Sequence, residues 1–240
     1  MPSAEPWRIE PLSRLETPRA AGFAGIAFAV LFGPALVLLH AAAPTTPGDA
    51  AAWLADSTRR SAVHLALNLV PFSGIAFLWF MGSVRSRMGA NEDKFFATLY
   101  VGSGFVFVAV LFAFAATAGG LISAAGTPDG RLDADVWRFG HQITFTLITT
   151  FAMRTAAVFV ISTSIIGSRL GFLPRWLVRA GLAAAVVLLI ASGTVPLVEL
   201  ALPVWVLVVS IQLLRARSSP RSAISAADAP DSVKGVTRRG

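Results

Sequence analysis

The sequence predicts an all-α polytopic membrane bundle of six transmembrane helices with both termini cytoplasmic. Three observations predict it. First, 55% of the 240 residues are hydrophobic and only 14% are charged, whereas ordinary soluble domains carry roughly 25% charged residues. Second, six continuous apolar runs lie near 20–41, 61–82, 95–120, 141–167, 175–193 and 196–214. Each approaches the ~20 residues that a helix needs to cross a hydrocarbon core. Third, the basic residues fall almost entirely on one side of these runs, which sets the orientation.

Taken in order, residues 1–19 form a cytoplasmic N-terminal tail carrying Arg8, Arg14 and Arg19. The first run ends in Ala41, Ala42 and Ala43, which resemble a signal cleavage site. It is longer than a signal core and Pro44 follows directly, so it reads as a retained helix. Pro34 and Pro71 remove helix hydrogen bonds and predict kinks in the first two helices. Asp49 can cap a short helix carrying Trp53 at the outer interface, and Asp133 can cap the fourth helix ahead of Trp137. Trp53, Trp79, Trp137 and Trp176 all read as interfacial depth anchors. Pro174 opens the fifth helix, and the four residues GTVP at 193–196 leave room only for an antiparallel hairpin of helices five and six. Residues 20–215 therefore form the transmembrane domain. Residues 216–240, rich in Ser, Ala, Pro and Arg, form a disordered basic tail.

The basic residues at the inner ends are Arg85, Arg87, Lys94, Arg169, Arg175, Arg179 and those of both tails. Only Arg59, Arg60, Arg131 and Arg138 fall on the other side. The net charge of +7 is thus spent on topology and not gathered on one nucleic-acid-binding face. The lipid bilayer is the expected partner, and no nucleic acid is expected. Small residues recur every fourth position at Ala21, Gly25, Ala29 and Gly33, and again at Ala109, Ala113 and Thr117. Such stripes pack helices closely within a bundle, or form the face of a homodimer or of another membrane-protein partner.

Chemistry is sparse. The absence of cysteine excludes disulfides, thiolate metal sites and thiol nucleophiles. GSG at 102–104 sits inside an apolar helix and is no phosphate loop, and no GxSxG, HExxH or GxxxxGK[ST] occurs. The expectation is a protein that is not an enzyme and needs no cofactor. His40, His64 and His141 all fall near the outer surface, and imidazole suits zinc, copper or nickel. They stand on separate helix ends with no carboxylate spaced as a fourth ligand, so no closed metal site is expected.

One residue stands apart: Arg154 interrupts ITTFAMRTAAVFV. Steps of four lead back to Thr150, Thr146 and Gln142 and, eight forward, to Ser162, a polar stripe along one helix. A charge near mid-membrane costs at least ~2.5–3.5 kcal/mol and normally faces the bundle interior with a partner. The expected partners are Glu199, the one carboxylate inside a predicted span, and Asn68. If the fourth helix enters the hydrocarbon near Thr146, Arg154 lies about 12 Å deep and Glu199 about 5 Å, at ~1.5 Å rise per residue.

AGFAGIAFAVLF, PFSGIAFLWFMGSVRSRMGANEDKFFATLYVGSG, RTAAVFVISTS and LPRWL together resemble a family of uncharacterised six-helix integral membrane proteins of actinobacteria. They are more remotely similar to a broader bacterial membrane family of unknown function. The resemblance covers most of residues 20–215 and implies six helices in the plasma membrane, with no activity or site residues to carry over. Three functions follow for testing: a small-molecule or ion permease or a subunit of one, a non-catalytic membrane scaffold or partner, and a metal-assisted intramembrane hydrolase. A cavity reaching Arg154 favours the first, a sealed bundle the second, converging imidazoles the third.

Overall fold

The computed structural model describes residues 17–43, 53, 56–86, 94–125 and 133–215. The tails, the Asp49 cap and the loop around residues 126–132 lie outside the described residues. The described chain is all-helical: α1 (Thr17–Ala42), α2 (Ser57–Arg85), α3 (Lys94–Ala125), α4 (Ala134–Thr146), a π turn (Leu147–Ala152), α5 (Met153–Arg169), α6 (Arg175–Ala191), a 3-10 turn (Val198–Leu200) and α7 (Ala201–Arg215). From Ala134 to Arg169 the helical path is unbroken over 36 residues. Among the described residues, five helical stretches are long and apolar enough to cross a membrane, as in a multi-pass membrane protein. The fifth apolar run, 175–193, forms α6, which has 17 residues and a length of ~26 Å at ~1.5 Å per residue.

The helix starts follow capping chemistry. Asp56 accepts hydrogen bonds from the amides of Thr58 (2.9 Å) and Arg59 (3.1 Å) at the start of α2. Asp133 caps α4 as expected, accepting from Asp135 N at 2.8 Å. Pro174 stands at the N-cap of α6, where its missing N–H leaves no orphan donor. Pro34 and Pro71 lie inside the continuous helices α1 and α2.

Helices α1 and α2 pack along their length, α7 closes against α1, and α6 packs chiefly on α5. The small-residue stripe of α1 serves this packing. A methyl on Gly25 would strike the Ser210 hydroxyl and lie 2.8 Å from the Phe80 ring, so only glycine lets α1, α2 and α7 meet at that level. The stripe on α3 behaves otherwise: Ala109, Ala113 and Thr117 are exposed among the described residues.

Around that level the core is aromatic. The Phe77 ring lies 5.1 Å from Phe28, 4.9 Å from Phe107 and 4.8 Å from Phe159. Tyr100 stacks on Phe159 at 4.8 Å, and its hydroxyl donates to Met81 O at 2.9 Å. Buried Ser73, Thr163 and Ser210 donate to backbone carbonyls three or four residues back, which satisfies their hydroxyls without a partner helix. The exterior is apolar in turn, with Phe23, Phe72, Phe105 and Ile190 all exposed. Such a surface suits lipid as the solvent.

The tryptophans divide. Trp79 and Trp176 are 70% and 49% exposed, as depth anchors should be, but Trp53 and Trp137 are buried at 1% and 3%. Trp53 packs with Ala42, Val63 and Ile122 in a small core of its own. These two rings pack inside the chain and do not face outward, and Trp137 lines a cavity.

Candidate functional site

A cavity of about 380 Å³, partly open to the surface, lies at the end of the bundle that carries His40. α1 contributes Leu36, Leu39 and His40, α2 contributes Val63, and the end of α3 contributes Phe114, Ala118, Leu121 and Ile122. The opposite wall is Trp137, His141, Thr144 and Phe145 of α4 with Ile148 and Thr149 of the π turn. Leu197, Glu199 and Leu200 complete it from the segment between α6 and α7. The walls are largely apolar, with two imidazoles, one carboxylate and two threonine hydroxyls set among them. Among the described residues no arginine or lysine lines it.

Three departures from regular backbone converge here. The π turn replaces i→i+4 with i→i+5 hydrogen bonding over Leu147–Ala152, an irregularity that recurs at functional sites. Leu197 adopts a left-handed conformation (φ 61°, ψ 12°), which a side chain with a Cβ takes only under constraint. The 3-10 turn that follows presents Glu199, half-buried, to the cavity. Gly193, at φ 83°, makes the α6–α7 turn and comes so close that a methyl there would lie 3.2 Å from Thr149 Cβ. The loop and the π turn thus shape each other.

The structure sorts the sequence candidates. His40 (exposed), His141 (half-buried) and Glu199 share the cavity; His64 is exposed and not part of its lining. The His141 ring stacks on Phe145 at 6.4 Å. Among the described residues no three His, Asp or Glu side chains are grouped to hold a metal ion. Trp137, Thr144, Thr149 and Leu197 are wall residues that sequence reasoning passed over. The Trp137 indole N–H, buried, has no hydrogen-bond partner among the described residues.

Arg154 corrects the central expectation. It is exposed on the exterior of the bundle, outside the cavity, with no ion pair or hydrogen bond among the described residues. Asn68 is also exposed, and neither it nor Arg154 lines the cavity with Glu199. Residues four apart in an α-helix drift by roughly 40° per step, because a turn holds ~3.6 residues. The wider π turn offsets part of that drift between Thr146 and Arg154. Gln142 and Arg154 are exposed and Thr146 and Thr150 half-buried, while the neighbouring Ile148, Thr149, Ala152 and Met153 are buried. The four polar residues therefore do form one stripe, and it looks outward. Along it, Gln142 Nε2 donates to Thr146 Oγ1 at 3.3 Å. Ser162 belongs to another face: it is buried at 1% and donates to Val158 O.

No family model, no curated protein and no solved structure matches the chain. The reading of the site therefore rests on its own geometry.

Proposed function

We propose that the protein is a small-molecule permease, or a subunit of one, in which the cavity at the His40 end is the binding site. The cavity itself carries this reading, although it holds Glu199 and does not reach Arg154. Its volume of about 380 Å³ falls within the ~300–1,000 Å³ of small-molecule sites, and apolar walls with a few convergent polar groups are the usual recipe for such a site. The mostly apolar lining supports an amphipathic or apolar small molecule over a bare inorganic ion, which would need a shell of oxygen ligands. The permease reading also takes six spans in the plasma membrane with both termini cytoplasmic, supported by the fifteen basic residues at the inner ends and tails against four at the outer. A reporter fused after Gly240 and active only outside the cell would overturn that orientation.

The test is native mass spectrometry of the purified protein, which should retain a small molecule. Ala118→Phe, which fills the cavity from α3, should release it while leaving the melting temperature within a few degrees of wild type. Retention by the filled variant would remove the cavity as the site. Absence of flux of the identified compound into proteoliposomes would leave a binding protein and not a permease.

The scaffold reading draws on a separate observation, the outward small-residue face of Ala109, Ala113 and Thr117 on α3, which offers a close-packing surface to another membrane helix. A metal-assisted hydrolase has His40, His141 and Glu199 around one cavity, but among the described residues no three His, Asp or Glu side chains are grouped to hold its metal.

A further inference from the structure

We propose that Arg154 anchors a phospholipid phosphate on the exterior of the bundle, with Thr150, Thr146 and Gln142 continuing the site toward the headgroup layer. The level of Arg154 in the membrane carries the argument. Thr194, Val195 and Pro196, in the turn between α6 and α7, are exposed, and their backbone is not helical. Irregular backbone that faces lipid does not occur within the hydrocarbon, so this turn marks its boundary. Gly193 in the same turn packs against Thr149, which places Thr149 at that boundary. Arg154 lies five residues deeper along the same helical path, at most ~7.5 Å at ~1.5 Å per residue. Its Cα–Cβ bond leans toward the helix N-terminus, back toward the boundary, and a long arginine side chain spans the remaining distance.

The chemistry fits the same ligand. A guanidinium stays charged and presents a planar fork that takes two phosphate oxygens at once. Arg154 has no acceptor among the described residues to compete for it. No aspartate or glutamate occurs between Asp135 and Glu199, and Glu199 is turned to the cavity. Above Arg154 the stripe supplies hydroxyls and an amide, groups that suit the glycerol and headgroup oxygens of an anionic phospholipid.

The full chain, purified alone and placed in vesicles containing both phosphatidylglycerol and monogalactosyldiacylglycerol, a lipid without phosphate, would be released for native mass spectrometry. Wild type should retain phosphatidylglycerol in preference to the galactolipid. Arg154→Gln should lower that retention about tenfold, the factor one charge-assisted hydrogen bond contributes, and Arg154→Lys should restore part of it. Because Arg154 is exposed and unpaired, the variants should melt with the wild type, which separates loss of lipid from loss of fold. Equal retention by wild type and Arg154→Gln overturns the proposal and leaves the arginine for an acidic group on another membrane protein. Displacement of the lipid by inorganic phosphate also overturns it, since the site would then read the free anion.

Discussion

The Arg169 end and the His40 end of the bundle are built largely from the same helices, yet one is filled and the other hollow. Toward Arg169, α1, α2, α3 and α5 fill the interior with Phe28, Phe77, Phe107, Tyr100 and Phe159, ring against ring. Arg169 itself caps that end with its guanidinium 4.8 Å above the Phe96 ring. Toward His40 the same helices present Leu36, Val63, Phe114 and Ala118, smaller or more widely set, and the cavity remains between them. The difference teaches where each kind of side chain is useful. Without a hydrophobic drive between helices in lipid, dense van der Waals contact holds the bundle together. The irregular segments, π turn, left-handed leucine and 3-10 turn, are gathered at the end that the rings leave open.

Three experiments on five substitutions can break or sharpen this contrast. The largest effect belongs to Phe77→Ala, which opens a void among four aromatic neighbours and should destabilise by about 3–5 kcal/mol in thermal or chemical unfolding in detergent. Phe145→Ala, on the cavity wall and 42% exposed, should cost less than about 1 kcal/mol. Equal losses would mean that the hollow end is not hollow.

Next comes α1 itself. Gly25→Ala drives a methyl into Ser210 and Phe80, whereas Gly33→Ala meets nothing within 4 Å. The first should lose about 1–3 kcal/mol from overpacking, and the second should be neutral or gain up to about 1 kcal/mol. Unfolding midpoints of the two variants decide the matter, and a reversed order would place the close helix contact elsewhere.

Arg154→Leu should show the smallest effect, within about 0.5 kcal/mol, because the residue is exposed and without a partner in the chain. A loss of about 3–5 kcal/mol, as expected on breaking a buried ion pair, would return Arg154 to the interior.

Much of the architecture was legible in the sequence because it follows from local rules. Apolar runs of the right length are helices in lipid, since no other segment satisfies its own backbone. Asp133 caps α4 because its side chain answers the orphan amides of the first turn, and the small residues of α1 let neighbouring backbones approach. His40, His141 and Glu199 were visible as polar residues near one surface, although nothing in their spacing joined them around one cavity. Asp56 as a cap was equally available, a carboxylate just ahead of α2 that was passed over.

The sequence by itself determined the multi-pass membrane class, the apolar helices, the Asp133 cap and the existence of a polar stripe on the fourth helix, all properties of single segments in a given solvent. The tertiary structure alone decided which way that stripe faces. Periodicity defines a face but not its neighbours. Gly193 packs against Thr149, and α6 and α7 bring Glu199 to the cavity of His40 and His141. These are relations between segments far apart in the chain. They follow from packing, which no single stretch of residues encodes.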